Sequence, residues 1–167
     1  MVKKEIRILG LAITHQRDEP QLVGAIFRGN LWLDGIFTCT IEMHGDYISD
    51  IAQAILRSRQ YSQTRVLISR EVLLPKGIRD LRKLNLKTRL PMISIVTSKT
   101  GNLLAGKPET SPSFDIKIGK RHVAVQTFQL AKEAANEIFL VGCKENSLVP
   151  EALRIAELTA TALQKLT

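Results

Sequence analysis

A chain of 167 residues, 44% hydrophobic and 24% charged, is long enough to bury a full core without disulfides or a structural metal, and residues 1–167 are read as one domain. No apolar run approaches the roughly 20 residues that cross a bilayer, and Met1-Val2-Lys3-Lys4-Glu5 lacks the apolar stretch of a secretory leader, so a cytoplasmic protein is expected. The formal net charge of +8 favours polyanionic partners, nucleic acid first among them, whereas 5% aromatic residues give little support to a stacking platform for single strands.

In chain order, Glu5 to Met43 reads as three antiparallel strands. The first, Ile6 to Thr14, is apolar at nearly every position, as expected of a strand covered on both faces. Gln21–Phe27 and Leu31–Ile41 follow, joined by Arg28-Gly29-Asn30, where Gly and Asn are expected to supply the positive φ angles of a tight hairpin. Met43 to Tyr47 breaks the strand pattern. Ile48, Ile51, Ala52, Ile55 and Leu56 then recur at the spacing of one helical face. Arg65–Ser69 is a short buried strand, Glu71–Gly77 a loop with Pro75, and Ile78–Thr88 a basic helix with Leu81 and Leu84 inward. Pro91–Val96 is expected to be a strand parallel to Arg65–Ser69, as the second half of a right-handed crossover.

Thr97–Ser113, with Gly101, Gly106, Pro108 and Pro112, reads as a long surface loop. Phe114–Ile118 and His122–Thr127 flank Gly119-Lys120-Arg121 as a second hairpin. Gln129–Asn136 is expected as a short helix and Ile138–Val141 as an extended piece. The last helix starts near Pro150, a favourable first-turn residue, and runs to Leu166. Cys39 and Cys143 have no metal-ligand spacing, are expected to stay reduced, and lie in no nucleophile motif.

Charge is concentrated between Arg57 and Lys99, where eleven cations stand against only Glu71 and Asp80. Arg70, Lys76, Arg79, Arg82 and Lys83 are the expected phosphate contacts, with Arg154 on the last helix, giving binding by charge and shape with little base readout. A solvated face tuned for solubility is the plainer reading of the same residues.

Three antiparallel strands, a helix, a strand, a helix and a strand are the order of a ribonuclease H-like fold, an α/β mixed sheet flanked by helices. Specific stretches sharpen this: Ile26-Phe27-Arg28-Gly29 with Trp32-Leu33-Asp34-Gly35, Leu90-Pro91-Met92-Ile93, and Val149-Pro150-Glu151-Ala152-Leu153-Arg154-Ile155-Ala156. Together they resemble the mainly archaeal family of domain of unknown function 99, UPF0215-type, which is similar to endonuclease V and has a member described as an endonuclease acting at deoxyuridine. The likeness runs roughly from Glu5 to Leu163.

The resemblance implies a site for hard divalent cations held by carboxylates, which activate water and stabilise the leaving oxygen of a phosphodiester. Family members usually place an aspartate pair after the glycine of the first strand; here Gly10-Leu11 is followed by Ala12 and Ile13. An Asp-Gly usually ends the fourth strand; here it reads Ser69-Arg70. The family's loop Asn falls near Gly77, and the histidine of the last helix falls on Glu157. Alanine and isoleucine side chains donate no oxygen, and Arg70 brings a positive charge to a cation's place. The chain is therefore expected to be a non-catalytic relic of a nuclease, without cofactor, that binds nucleic acid.

Glu42, Asp46 and Glu157, with Glu71, are the candidates for a rebuilt catalytic site, Asp46 being the candidate metal ligand and magnesium the ion. His15 and His44 flank the same mouth. Asp46 can equally be a helix N-cap with Ser49 three residues on, Glu42 a solvated strand-end side chain, and Glu157 the partner of Arg154 at i, i+3. Two other functions stay open. One is a live magnesium-dependent endonuclease for uracil- or inosine-containing strands. The other is a partner-binding protein or homodimer that takes no nucleic acid.

Overall fold

A computed structural model describes residues 1–14, 19–96 and 113–166. The elements in chain order are β1 (Arg7–Ile13), β2 (Gln21–Arg28), β3 (Trp32–Thr40), α1 (Tyr47–Arg57), β4 (Thr64–Arg70), α2 (Ile78–Thr88), β5 (Met92–Ile95), β6 (Ser113–Ile118), β7 (Arg121–Phe128), α3 (Lys132–Gly142) and α4 (Glu151–Lys165). The strands form one 7-stranded sheet in the order β3-β2-β1-β4-β5-β7-β6. Antiparallel pairing joins β3 to β2 to β1, parallel pairing joins β1 to β4 to β5, and the β6–β7 hairpin closes the far side antiparallel to β5. The mixed sheet read from the sequence, including the parallel β4–β5 pair, is the sheet the chain forms.

Alternation along the strands assigns the two faces. Leu9 and Leu11 of β1, with Leu22, Ile26 and Leu67, pack against Ile48, Ile51 and Ile55 of α1 and Leu81 and Leu84 of α2. Ile8, Val66, Ile68 and Ile93 point the other way, onto Ala135, Ile138 and Phe139 of α3 and Ala152 and Leu153 of α4. Ala12, Val23 and Ala25 continue that second face under Ala156 and Ala160 of α4. The small residues there let α4 lie close to the sheet. At Gly10 the approach is at its limit, since a Cβ would stand 2.3 Å from the Ala152 carbonyl carbon and oxygen.

Three local expectations are corrected. The expected short helix Gln129–Asn136 and extended piece Ile138–Val141 give way to the single helix α3, which begins at Lys132 and runs through Ile138–Val141. Ala135, Ile138, Phe139 and Gly142 are its buried residues, a spacing of three, four and seven that outweighs the strand preference of Ile138, Phe139 and Val141. In the first hairpin only Gly29 takes a positive φ, 55°; Asn30 instead donates its side-chain amide to the Cys143 carbonyl at 2.6 Å. The Glu71–Gly77 loop opens with a 3₁₀ turn over Glu71–Leu73. Most of Thr97–Ser113 lies outside the described residues, and Ser113 itself begins β6.

Candidate functional site

Because β1, β4 and β5 are parallel, their carboxyl ends share one edge of the sheet, and β3 ends there as well. Such an edge is where open α/β sheets bind ligands. A cleft of about 350 Å³ opens at it, lined by Leu11, Ala12 and Ile13 of β1, by Arg70, Val72 and Leu73, and by Glu157, Ala160, Thr161 and Gln164 of α4. Ala12 is 6% exposed and packs beneath Ala156 and Ala160. Ile13 turns to the opposite face and packs against the core under α1 and α2.

The two charged groups of the cleft are joined to each other. Arg70, at the end of β4, grips Glu157 of α4 with both arms of its guanidinium, through Nε to one carboxylate oxygen and through its terminal nitrogen to the other at 3.1 Å. Both side chains are 32% exposed. The hydrogen bonds that Arg70 donates to Glu157 hold its guanidinium even more firmly in its charged form, against the opposing effect of burial. Arg70 thus brings a compensated charge to the cleft. Its pairing with Glu157 was not read from the sequence, although a signal existed: a cation and an anion stand at two positions that the resemblance assigns to one site.

The expected Arg154–Glu157 pair does not form. Arg154 makes a two-pronged bond to Glu151, at 2.7 and 2.8 Å, and Lys144 lies 3.4 Å from the same carboxylate. Glu151 is 1% exposed, and the Arg154 hydrogen bonds hold its carboxyl below the usual range despite burial, with Lys144 adding to the effect. Glu151 and Glu157 lie three residues either side of Arg154, which takes Glu151 and leaves Glu157 to Arg70. The Arg70–Glu157 pair ties α4 to the end of β4, and Lys144, just past α3, ties the first turn of α4 to the preceding loop; the Glu151–Arg154 pair lies within α4 itself.

Asp46 is the N-cap of α1. Its carboxylate accepts from the Ser49 amide at 3.2 Å and the Ser49 hydroxyl at 2.6 Å, and these bonds, with the nearby Lys87 and Lys83, keep it below the usual carboxylate range. Glu42 is exposed and lines a separate groove with Asp50 and Arg57. Asp46 and Glu42 are therefore not gathered around Glu157. His44 is exposed, Glu71 is half-buried, and His15 lies outside the described residues. Among the described residues no group of three or more His, Cys, Asp or Glu could hold a metal ion.

The divalent cation implied by the resemblance does not fit the residues present. At the end of β1 the side chains are a methyl and a sec-butyl group, and the carboxylate on α4 is already neutralised by a guanidinium. Neither offers the several anionic oxygens that a hard cation requires.

The expected basic face takes shape on α2. Lys76, Arg79, Arg82, Lys83, Lys87 and Arg89 are exposed, and the acidic residue of the helix, Asp80, is 1% exposed. Its carboxylate points inward, accepting from the Tyr47 hydroxyl at 2.6 Å and the Lys76 amide at 3.0 Å. Burial and the Asp80 charge push the Tyr47 phenol up to about 12. The charge balance of the sequence understates this face, because it counts Asp80 as a surface anion. Asp34, from the Trp32–Gly35 motif, is likewise structural: it pairs with Arg7 at 2.5 Å and Arg28 at 3.0 Å.

No family model matches the chain. A UPF0215 protein of Methanopyrus kandleri is 28% identical, covering 98% of this chain and 94% of that protein. Another, of Methanosarcina barkeri, is 29% identical, with 97% and 92% covered. Among solved structures, a protein of unknown function from Archaeoglobus fulgidus superposes with a TM-score of 0.74 at 20% identity, covering 94% of this chain and 97% of that one. Endonuclease V of Ciona intestinalis, solved with a 23mer DNA containing an inosine followed by a ribo-adenosine, superposes with a TM-score of 0.71 at 12% identity, covering 97% and 87%. Along nearly its whole length, then, this chain is similar to the UPF0215 proteins, and the fold that carries the similarity is that of endonuclease V.

Proposed function

We propose that this protein binds nucleic acid on a nuclease-derived scaffold without cutting it, using the cationic surface of α2. The observation that carries the reading is the inward turn of Asp80: it leaves Lys76, Arg79, Arg82, Lys83, Lys87 and Arg89 as the charged groups α2 and its ends present to solvent. Phosphates approaching such a face release counterions, and the resulting affinity is steep in salt and nearly indifferent to sequence. The fold supports the same partner, since the endonuclease V it resembles was solved with DNA. Arg70 and Arg154 contribute less than their positions in the sequence suggest, because Glu157 and Glu151 compensate them. The absence of cleavage rests on the cleft, where Ala12, Ile13 and the Arg70–Glu157 pair replace the oxygens a divalent ion would need.

The test is fluorescence anisotropy with a labelled duplex across a sodium chloride series. Three to five phosphate contacts predict a slope of log affinity against log salt of about −2.7 to −4.5. The double substitution Arg82→Glu with Lys83→Glu is expected to weaken binding at least tenfold with an unchanged circular dichroism spectrum. A flat salt dependence, or binding untouched by the charge reversal, sinks the proposal. In parallel, uracil- and inosine-containing strands incubated with magnesium or manganese are expected to stay intact; cleavage abolished by chelator overturns the non-catalytic half of the reading.

A further inference from the structure

The two edges of the sheet are treated differently. The β6 edge, Ser113-Phe114-Asp115-Ile116-Lys117-Ile118, exposes Asp115 and Lys117, the charged side chains that commonly keep an open edge from pairing. Among the described residues the β3 edge has no such guard. Its charged residue, Asp34, is turned onto Arg7 and Arg28, while Trp32, Leu33 and Ile36 are 46%, 44% and 44% exposed.

The open hydrogen-bonding groups of β3 can be counted from its pairing. The Ile41 amide donates to the Pro20 carbonyl, so Ile41 faces β2, and by alternation so do Cys39, Phe37 and Gly35. The residues between them, Ile36, Thr38 and Thr40, turn their N–H and C=O groups away from the sheet; the Thr40 carbonyl meets the Cys39 thiol at 3.5 Å, a weak donor that leaves the carbonyl's second lone pair for a partner strand. Asp34 turns outward too, but it sits where the β2–β3 register shifts, and its carbonyl accepts from the Gln60 amide at 3.4 Å. The regular open edge therefore runs over three outward residues and stops at a filled position.

Beside this edge lies a groove of about 590 Å³ lined by Phe37–Thr40 and by Glu42, Asp50, Gln53, Ala54, Arg57 and Ser58. Because α1 runs back along β3, the groove is acidic at one end, with Glu42 and Asp50, and basic at the other, with Arg57. A surface with opposite charges at its two ends is complementary to itself when rotated by 180°.

From these features we infer that β3 is the interface of a homodimer, pairing antiparallel with β3 of a second copy across a two-fold axis at Thr38. This register sets Thr38 against Thr38 of the second copy and Ile36 against its Thr40, so all three outward residues pair and none meets the blocked Asp34. Each of the three exchanges an N–H and a C=O, about six hydrogen bonds in all, and the two sheets become one. Glu42 and Asp50 of each copy are brought toward the Arg57 end of the other.

The test is the solution mass of the full chain by sedimentation velocity. The expected mass is twice the 18.6 kDa of the chain. Thr38→Pro is expected to give a monomer with an unchanged circular dichroism spectrum, since the lost N–H points away from β2 and proline is tolerated at such edge positions. Ile36→Lys, which places a charge on the seam and alters no backbone group, is expected to weaken dimerisation at least tenfold and decides the question if the proline variant does not fold. The β6 pair Asp115→Ala with Lys117→Ala is expected to leave the dimer intact. A wild-type monomer throughout the accessible range, a dimer that survives both β3 changes, or one lost in the β6 variant overturns the inference.

Discussion

The Arg70–Glu157 pair admits a quantitative test, because its geometry is defined and its surroundings are intermediate between core and solvent. Two unit charges about 4 Å apart at an effective dielectric near 20 attract by about 4 kcal/mol. Withdrawing both groups from water offsets much of this. Exposed pairs are worth about 0–1 kcal/mol, and removing one partner of a buried pair costs about 3–5 kcal/mol. At 32% exposure for each side chain, joined by two bonds, the expected coupling is about 1–2 kcal/mol. The assay is a double-mutant cycle of Arg70→Met and Glu157→Gln, followed by urea denaturation with tryptophan fluorescence and circular dichroism as independent probes. With a slope of about 2 kcal/mol per molar urea, each single variant is expected to lower the midpoint by about 0.5–1 M, and the double variant by clearly less than the sum. The same Glu157→Gln protein is expected to bind duplex more tightly, with a salt slope steeper by about one, as Arg70 is released to a phosphate. A coupling below about 0.3 kcal/mol, indistinguishable from simple additivity, refutes the claim that the pair holds α4 to the end of β4.

Three further outcomes follow from the packing. Gly10→Ala is expected to cost about 3 kcal/mol or to prevent folding, because its Cβ would meet the Ala152 carbonyl at 2.3 Å; a melting temperature equal to wild type contradicts the close approach of α4. Tyr47→Phe leaves Asp80 one donor short and is expected to cost about 1 kcal/mol by urea titration, whereas an unchanged midpoint means that the bond contributes nothing. Glu151 has its carboxyl held below the ordinary value by Arg154 and Lys144, so it binds a proton more readily in the unfolded chain. Its stabilisation is complete above the unfolded value and is lost as pH falls through the lowered folded one. The stability gap between wild type and Glu151→Gln is accordingly expected to close on acidification from about pH 6 to about pH 3, and a gap constant over that window argues against the ion pair.

The order of elements, the mixed sheet and most of its strands were legible in the sequence, because local patterns specify them. The unbroken apolar run of β1 demands cover on both faces, and α1 and α2 show their core-facing residues at helical spacing. What the local pattern could not decide was competition between partners. Arg154 had Glu151 and Glu157 at equal sequence distance, and the end of β4 settled the matter by delivering Arg70 to Glu157. Ile138–Val141 carried a strand preference that packing of Phe139 and Ile138 onto the sheet overrode. That the side chains of Ala12 and Ile13 carry no oxygen for a cation is written in the residues themselves. That Asp80 is hidden, that Arg70 is neutralised, and that β3 rather than β6 is the unguarded edge depend on contacts between residues far apart in the chain, and such contacts exist only after the sheet has formed.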